Sequence, residues 1–253
     1  MAMADQRLQC LISIRRHPNH PGLVIAALSG GQSAPANMAI RAAAQHAESL
    51  SMRLFEVNES FAGRTTKESL AQALVETLVP KIDAEVAKIG AARGLLAQRV
   101  AAAMPCEPYG PSLPYWQAMI DSKLIDRIGE MSNGDRAALI ARMAFEPWNT
   151  RAMTEAVLRW PLEAVPMTQA QRDAARVAAL AVFKKDEFAM LKAEMEQLNN
   201  AITGVHGIAN IVTDVLPSRA SWVSHAPHSS RLLSEPLLGW GVEPRVLEAV
   251  GQA

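Results

Sequence analysis

Between Thr168 and Leu216 the apolar residues Phe188, Leu191, Met195, Leu198, Ile202, Val205, Ala209, Val212 and Leu216 recur at alternating spacings of three and four. That is the a/d pattern of a coiled-coil seam, and it predicts one long amphipathic helix. Thr168 and Gln171 stand at capping-box spacing behind Pro166 and Met167, which marks the start. Pro217 marks the stop, because it cannot continue a helical hydrogen-bond ladder. Unbroken, such a helix has about 49 residues and runs roughly 73 Å. Gly204 and Gly207 inside the seam predict a bend or a close approach by a neighbouring helix. The seam is to be filled by another helix of the same chain, at least in part, or by a partner whose register the charged flank around Glu187, Lys192 and Glu194 would set.

A second long helix is predicted after Arg64. Leu70, Leu74, Leu78, Ile82, Val86, Ile89, Leu96, Val100 and Met104 trace one face at a period near 3.6, opposite Lys67, Glu76, Lys81, Glu85 and Lys88. Pro80 is expected to kink or restart it, and Gly90 and Gly94 to loosen its second half. This helix is the natural partner for the 168–216 element in an antiparallel pair.

Pro105, Pro108, Pro111 and Pro114 then make the sharpest boundary in the chain, a stiff extended hinge that also carries Cys106 and Tyr109. Beyond it three shorter helices are legible. The first, Tyr115 to Met131, should turn Trp116, Met119, Ile120, Leu124 and Ile128 inward; Asp135 to Phe145 and Thr150 to Trp160 follow. Trp116, Trp148 and Trp160 beside prolines read as corner-packing residues or, if on a surface, as interface anchors.

The N-terminal part reads differently. The stretch around Cys10, Ile12 and Ile14 fits a short helix or a strand; Leu23–Leu28 reads as a buried strand, Pro35–Leu50 as a helix and Met52–Val57 as a second strand. A strand, a glycine-containing loop and a helix N-terminus are the physical recipe for holding a phosphate. The loop Ser29-Gly30-Gly31-Gln32-Ser33 resembles the Ser-Gly-Gly-x-Asp-Ser pyrophosphate loop of the ATP pyrophosphatase family, with Ser33 and Ala34 where that family has Asp and Ser. The resemblance implies a nucleotide-binding enzyme using Ser29, Gly30, Gly31 and Ser33. The other reading is a helix-loop-helix in which Gly30-Gly31 ends one helix and Pro35 starts the next.

Composition narrows the field. Formal net charge over the 253 residues is zero, which removes any global attraction to nucleic acid or to an anionic membrane. Arg93 with Arg99, or Arg151 with Arg159, are the remaining candidates for a local basic patch. Apolar content of 49% with only 5% aromatics favours helices over a β-sandwich. Cys10 and Cys106 are far apart and make neither a disulfide framework nor a metal pair, which fits a reducing compartment. His17 with His20, and His225 with His228, have no further ligand beside them. No export signal and no membrane span are read, so a cytoplasmic protein, or one inside an intracellularly assembled particle, is expected.

The expected fold is mainly α: an elongated bundle or hairpin of two long helices with a small helical head and a minor strand pair near the N-terminus. Its segments are 1–64 as an N-terminal α/β piece or arm, 65–216 as the hairpin with its head at 115–160, and 217–253 as a C-terminal arm that lies across this protein or a neighbour. The expected function is that of a non-enzymatic helical component of a larger assembly, such as a virion or a secretion-type complex. It would bind protein partners or copies of itself through Phe188, Leu191, Met195, Leu198, Ile202, Val205, Val212, Leu216, Trp222 and Trp240. No catalytic residue, metal or cofactor is assigned.

Overall fold

The computed structural model describes residues 11–17, 20–29, 35–59, 64–111, 113–215 and 219–242. They are mainly helical. Two strands, β1 (Leu11–His17) and β2 (His20–Ser29), precede the helices α1 (Pro35–Glu59), α2 (Arg64–Ala102), α3 (Tyr115–Glu130), α4 (Asn133–Phe145), α5 (Arg151–Arg159), α6 (Gln169–Phe183), α7 (Lys185–Val215), α8 (Arg219–His225) and α9 (Pro227–Ser234). Residue contacts divide the chain into two compact units, one of residues 1–97 with 193–238 and one of residues 98–192 with 239–253. The boundaries fall inside α2 and α7 and ahead of Gly239.

In the first unit β1 and β2 pair antiparallel, with Ile14 opposite Ala26, and α1 packs against β2. The second strand expected at Met52–Val57 is not one: those residues continue α1. Leu50 and Leu54 are buried at four-residue spacing, and the alternation that mimicked a strand is the far end of that helical arc. α2 runs without interruption through Pro80, which is exposed, and buries Leu78, Ile82, Val86 and Ile89 as its period requires. Within the C-terminal arm the residues around His225 and His228 are helical, in α8 and α9. Asp83 holds α9 down: its carboxylate accepts from the amides of His228 (3.2 Å) and Ser229 (2.7 Å) and from the Ser229 hydroxyl (2.7 Å). An acid from a distant helix thereby satisfies the free amides at the α9 N-terminus. Asn199 ties α7 to the following segment, exchanging hydrogen bonds with the backbone of Leu238.

The 168–216 element is two helices. The Thr168–Gln171 capping box forms as expected, but α6 ends at Phe183 and Lys184 adopts φ −131°, ψ 56°. The Lys184 amide closes α6 on the Leu180 carbonyl while its own carbonyl receives the Phe188 amide, so one residue is the C-cap of α6 and the N-cap of α7. Asp186 and Glu187 then lie in the first turn of α7, where negative charge is favourable. In α7 the expected row is buried from Leu191 to Val212, with Phe188 half-buried, but so are Ala201, Gly204, Ile208 and Ile211 beside it. The covered arc is wider than an a/d seam and has the width of a helix set into a globular core.

In the second unit the core gathers Ile125, Ile128, Met143, Ala156, Val157, Val165 and Ala175 from α3 to α6. α3 packs on α5, and α4 on α6. Ser132 caps α4 by accepting from the Asp135 amide at 3.2 Å, so the helix starts at Asn133, two residues before the start expected at Asp135.

Candidate functional site

The candidate interface residues of α7 are covered within one copy of the chain. Leu191, Met195, Leu198, Ile202, Val205 and Val212 are buried, as are Trp222 and Trp240. Phe188 stacks on Trp240 with ring centroids 4.6 Å apart. Leu216 lies outside the described residues, as do Gly30, Gly31 and Ser33; Ser29 ends β2. With Met52–Val57 helical and β2 paired antiparallel to β1, the strand–helix–strand frame expected around that loop is absent from the described residues. Among the described residues no group of three His, Cys, Asp or Glu is placed to hold a metal. The basic candidates are engaged: Arg93 pairs with Glu235 and donates to the Pro236 carbonyl at 2.8 Å, Arg151 pairs with Glu155, and Arg159 is buried.

The cluster around Arg159 is the most concentrated polar chemistry described in the second unit. Asp121 is completely buried in α3. Its Oδ1 accepts from Gln117 Nε2 at 2.8 Å; its Oδ2 accepts from the Tyr109 hydroxyl at 2.7 Å and from Arg159 Nε at 2.9 Å. Arg159 Nη2 reaches Glu155 at 3.1 Å, and Tyr109 meets Trp160 edge-on at 5.9 Å. Burial, then the hydrogen bond to Asp121, push the Tyr109 hydroxyl well above its ordinary range. Burial likewise pushes the Cys106 thiol up, with Arg159 opposing it, so at neutral pH this sulfur is a protonated thiol and a poor nucleophile. Every oxygen of Asp121 is committed, which leaves none for a substrate. The cluster is a clamp that fastens the proline-rich segment to α3 and α5.

The clamp has a second consequence. The expected inward face of α3 was Trp116, Met119, Ile120, Leu124 and Ile128; the buried residues are Asp121, Ile125 and Ile128. The helix is turned by about one residue, roughly 100°, because the Asp121 carboxylate must reach Arg159 inside the unit. The turn leaves Tyr115 (83%), Trp116 (58%), Met119 (52%) and Ile120 (44%) exposed. Trp116, Ile120 and Leu124 lie along one side of α3 at four-residue spacing, and Met131 is the extended residue that caps its end. Leu124 and Met131 continue that row into a concavity of about 520 Å³. Its other walls are Ala138, Leu139 and Arg142 of α4, and its floor is Thr150–Met153. Leu124, Leu139 and Met153 also pack against the core cluster below, so the floor is rigidly supported.

One signal in the sequence pointed to this surface: an aspartate stands inside the apolar arc of α3, between Ile120 and Leu124. A charge in that position is a partner-seeking group, and the helix orients to serve it. No protein family, curated protein or solved structure matches the chain.

Proposed function

We propose that this chain is a non-enzymatic helical interaction protein, one component of a larger protein assembly such as a virion or a secretion-type complex. The observation that carries the reading is the exposed row Tyr115, Trp116, Met119 and Ile120 on a helix whose rotation is locked by a buried ion pair. Single exposed apolar residues are ordinary, but four large ones on adjoining turns of one helix form a patch, and Trp, Tyr and Met are the residues that anchor interfaces. The row on α7 is consumed inside the chain, so the docking face moves to α3. The committed oxygens of Asp121 and the protonated Cys106 agree with a scaffold more than with a catalyst. Among the described residues no helix is long and apolar enough to cross a membrane.

The test is site-specific photo-crosslinking in the producing cells. A photoreactive residue at Trp116 or Ile120 should give a discrete covalent adduct with another protein or another copy of the chain, whereas the same residue at the exposed Glu76 on α2 should not. Absence of any protein adduct from both positions 116 and 120, in chains that melt like the unmodified protein, would refute the reading.

A further inference from the structure

We infer that Asn133 is a site of spontaneous covalent modification: its side-chain amide is lost through attack by the backbone nitrogen of Gly134, and a carboxylate appears in the first turn of α4. The inference is independent of the interaction reading above.

The reacting pair occurs once. Asparagine stands directly before glycine at Asn133-Gly134 and nowhere else in the chain. Asparagine is thermolabile because the amide nitrogen that follows it can close a five-membered ring on its side-chain carbonyl carbon. A side chain on the next residue crowds that approach, and glycine has none.

The fold leaves both partners free. Ser132, Asn133, Gly134 and Asp135 are all exposed, so opening this turn uncovers no buried surface. Asn133 and Gly134 are the first two residues of α4, and amides in a first helical turn have no carbonyl one turn back to bond. The cap serves the amides beyond them: Ser132 Oγ accepts from the Asp135 amide at 3.2 Å, and the Ser132 carbonyl accepts from the Arg136 amide at 2.9 Å. Among the described residues neither the Asn133 carboxamide nor the Gly134 amide has a hydrogen-bond partner. Asn199 differs, since the Leu238 backbone holds both ends of its carboxamide at 2.8 and 2.9 Å, and the amide after it lies inside α7. Asn149 differs too: it donates to Glu146 at 3.3 Å, and the Thr150 amide behind it is bonded to the Pro147 carbonyl at 3.2 Å. To react, Asn133 must leave its helical ψ, which breaks only the local bonds of the cap. The Arg136 guanidinium meanwhile keeps the end of α3 in place through the carbonyls of Ile128, Gly129 and Met131.

The step needs water and no oxidant or reductant. The Gly134 nitrogen gives up its proton and bonds to Asn133 Cγ; the Cγ–Nδ2 bond breaks, and that nitrogen departs with the proton as ammonia. Water then opens the ring on one side of the Gly134 nitrogen. Cleavage from Cγ leaves aspartate at position 133, a negative charge where the helix dipole favours one. Cleavage from the original backbone carbonyl leaves isoaspartate, whose main chain is one atom longer, and this pushes Ser132 Oγ and the Asp135 amide out of register.

The test incubates the full, folded chain in mildly alkaline buffer at physiological temperature and follows each asparagine by peptide mass mapping, with isoaspartyl methyltransferase to label the isomerised product. Asn133 should convert about tenfold faster than Asn149 and Asn199, giving both aspartyl and isoaspartyl chains. Gly134→Ala, whose new Cβ meets only Ser132 Oγ at 4.0 Å, should fold normally and slow the conversion by about tenfold. An Asn133 that stays intact in the folded chain while converting in urea would overturn the inference, because the helix would then protect it. So would conversion of Asn149 or Asn199 at the same rate as Asn133. An unchanged rate in Gly134→Ala would also sink it, since water and not the backbone would then be attacking the amide.

Discussion

Arg159 Nε donates to Asp121 Oδ2 across 2.9 Å, and the two side chains are 4% and 0% exposed. A pair sealed this deeply fixes geometry more than it adds stability, since both charges were stripped of water to make it. What it fixes is the rotation of α3, and with it the face that remains uncovered.

Breaking that pair from one side should be costly. Arg159→Met strands the Asp121 carboxylate and is expected to destabilise the second unit by about 3–5 kcal/mol, as is Asp121→Leu, which strands the guanidinium. The double variant Asp121→Leu with Arg159→Met should cost far less than the sum, measured by urea unfolding. Strict additivity would show that the two groups do not act together.

Alkali should loosen the clamp. The Cys106 and Tyr109 values rise on folding from ordinary values of 9.0 and 10.0. The folded chain therefore holds protons that the unfolded chain has released, and stability falls with rising pH. The contribution is intact below the ordinary values and disappears as pH climbs through the raised ones. The urea midpoint should hold steady from neutral pH to about pH 9 and drop above it, and Tyr109→Phe should make the part of the drop beyond about pH 10 smaller.

Removing the acid that anchors α9 should free that helix selectively. Asp83→Ala leaves the amides of His228 and Ser229 without their acceptor and should cost about 1–2 kcal/mol. Hydrogen exchange at Ser229 and Ser230 should accelerate, while the Asp121 clamp, in the other unit, keeps its protection. Ser229→Ala removes one bond of the three and should cost less.

Two glycines in α2 run the other way. A Cβ placed on Gly90 or Gly94 meets nothing within 4 Å, and both residues border a cleft of about 330 Å³ with Arg93, His228 and Arg231 along it. Gly90→Ala and Gly94→Ala should each raise stability by about 0.5–1 kcal/mol, read from the melting temperature. A loss instead would show that the two positions are not open.

Much of the helical framework was legible in the residues themselves. The 3.6-residue period of α2, the Thr168–Gln171 capping box and the buried row from Leu191 to Val212 all follow from local rules, because side-chain spacing and amide capping act within one or two turns. The break at Lys184 was harder to see. No Pro or Gly marks it, and the acidic pair Asp186 and Glu187 was the only sign that a helix begins there. The strand assigned to Met52–Val57 failed for a related reason: a short apolar alternation fits either period, and only the continuation from Pro35 decides it.

What the sequence by itself determined is which residues want to leave water and in what repeat. Tertiary structure alone decided which of two apolar arcs on α3 would do so. Ile125 and Ile128 compete with Trp116 and Ile120 on nearly equal hydrophobic terms, and the choice fell to Asp121, whose charge can be buried only where Tyr109 and Arg159, distant in sequence, meet it. Long-range pairing of that kind leaves no local pattern, so the outward row that forms the docking face became visible only once the chain was folded.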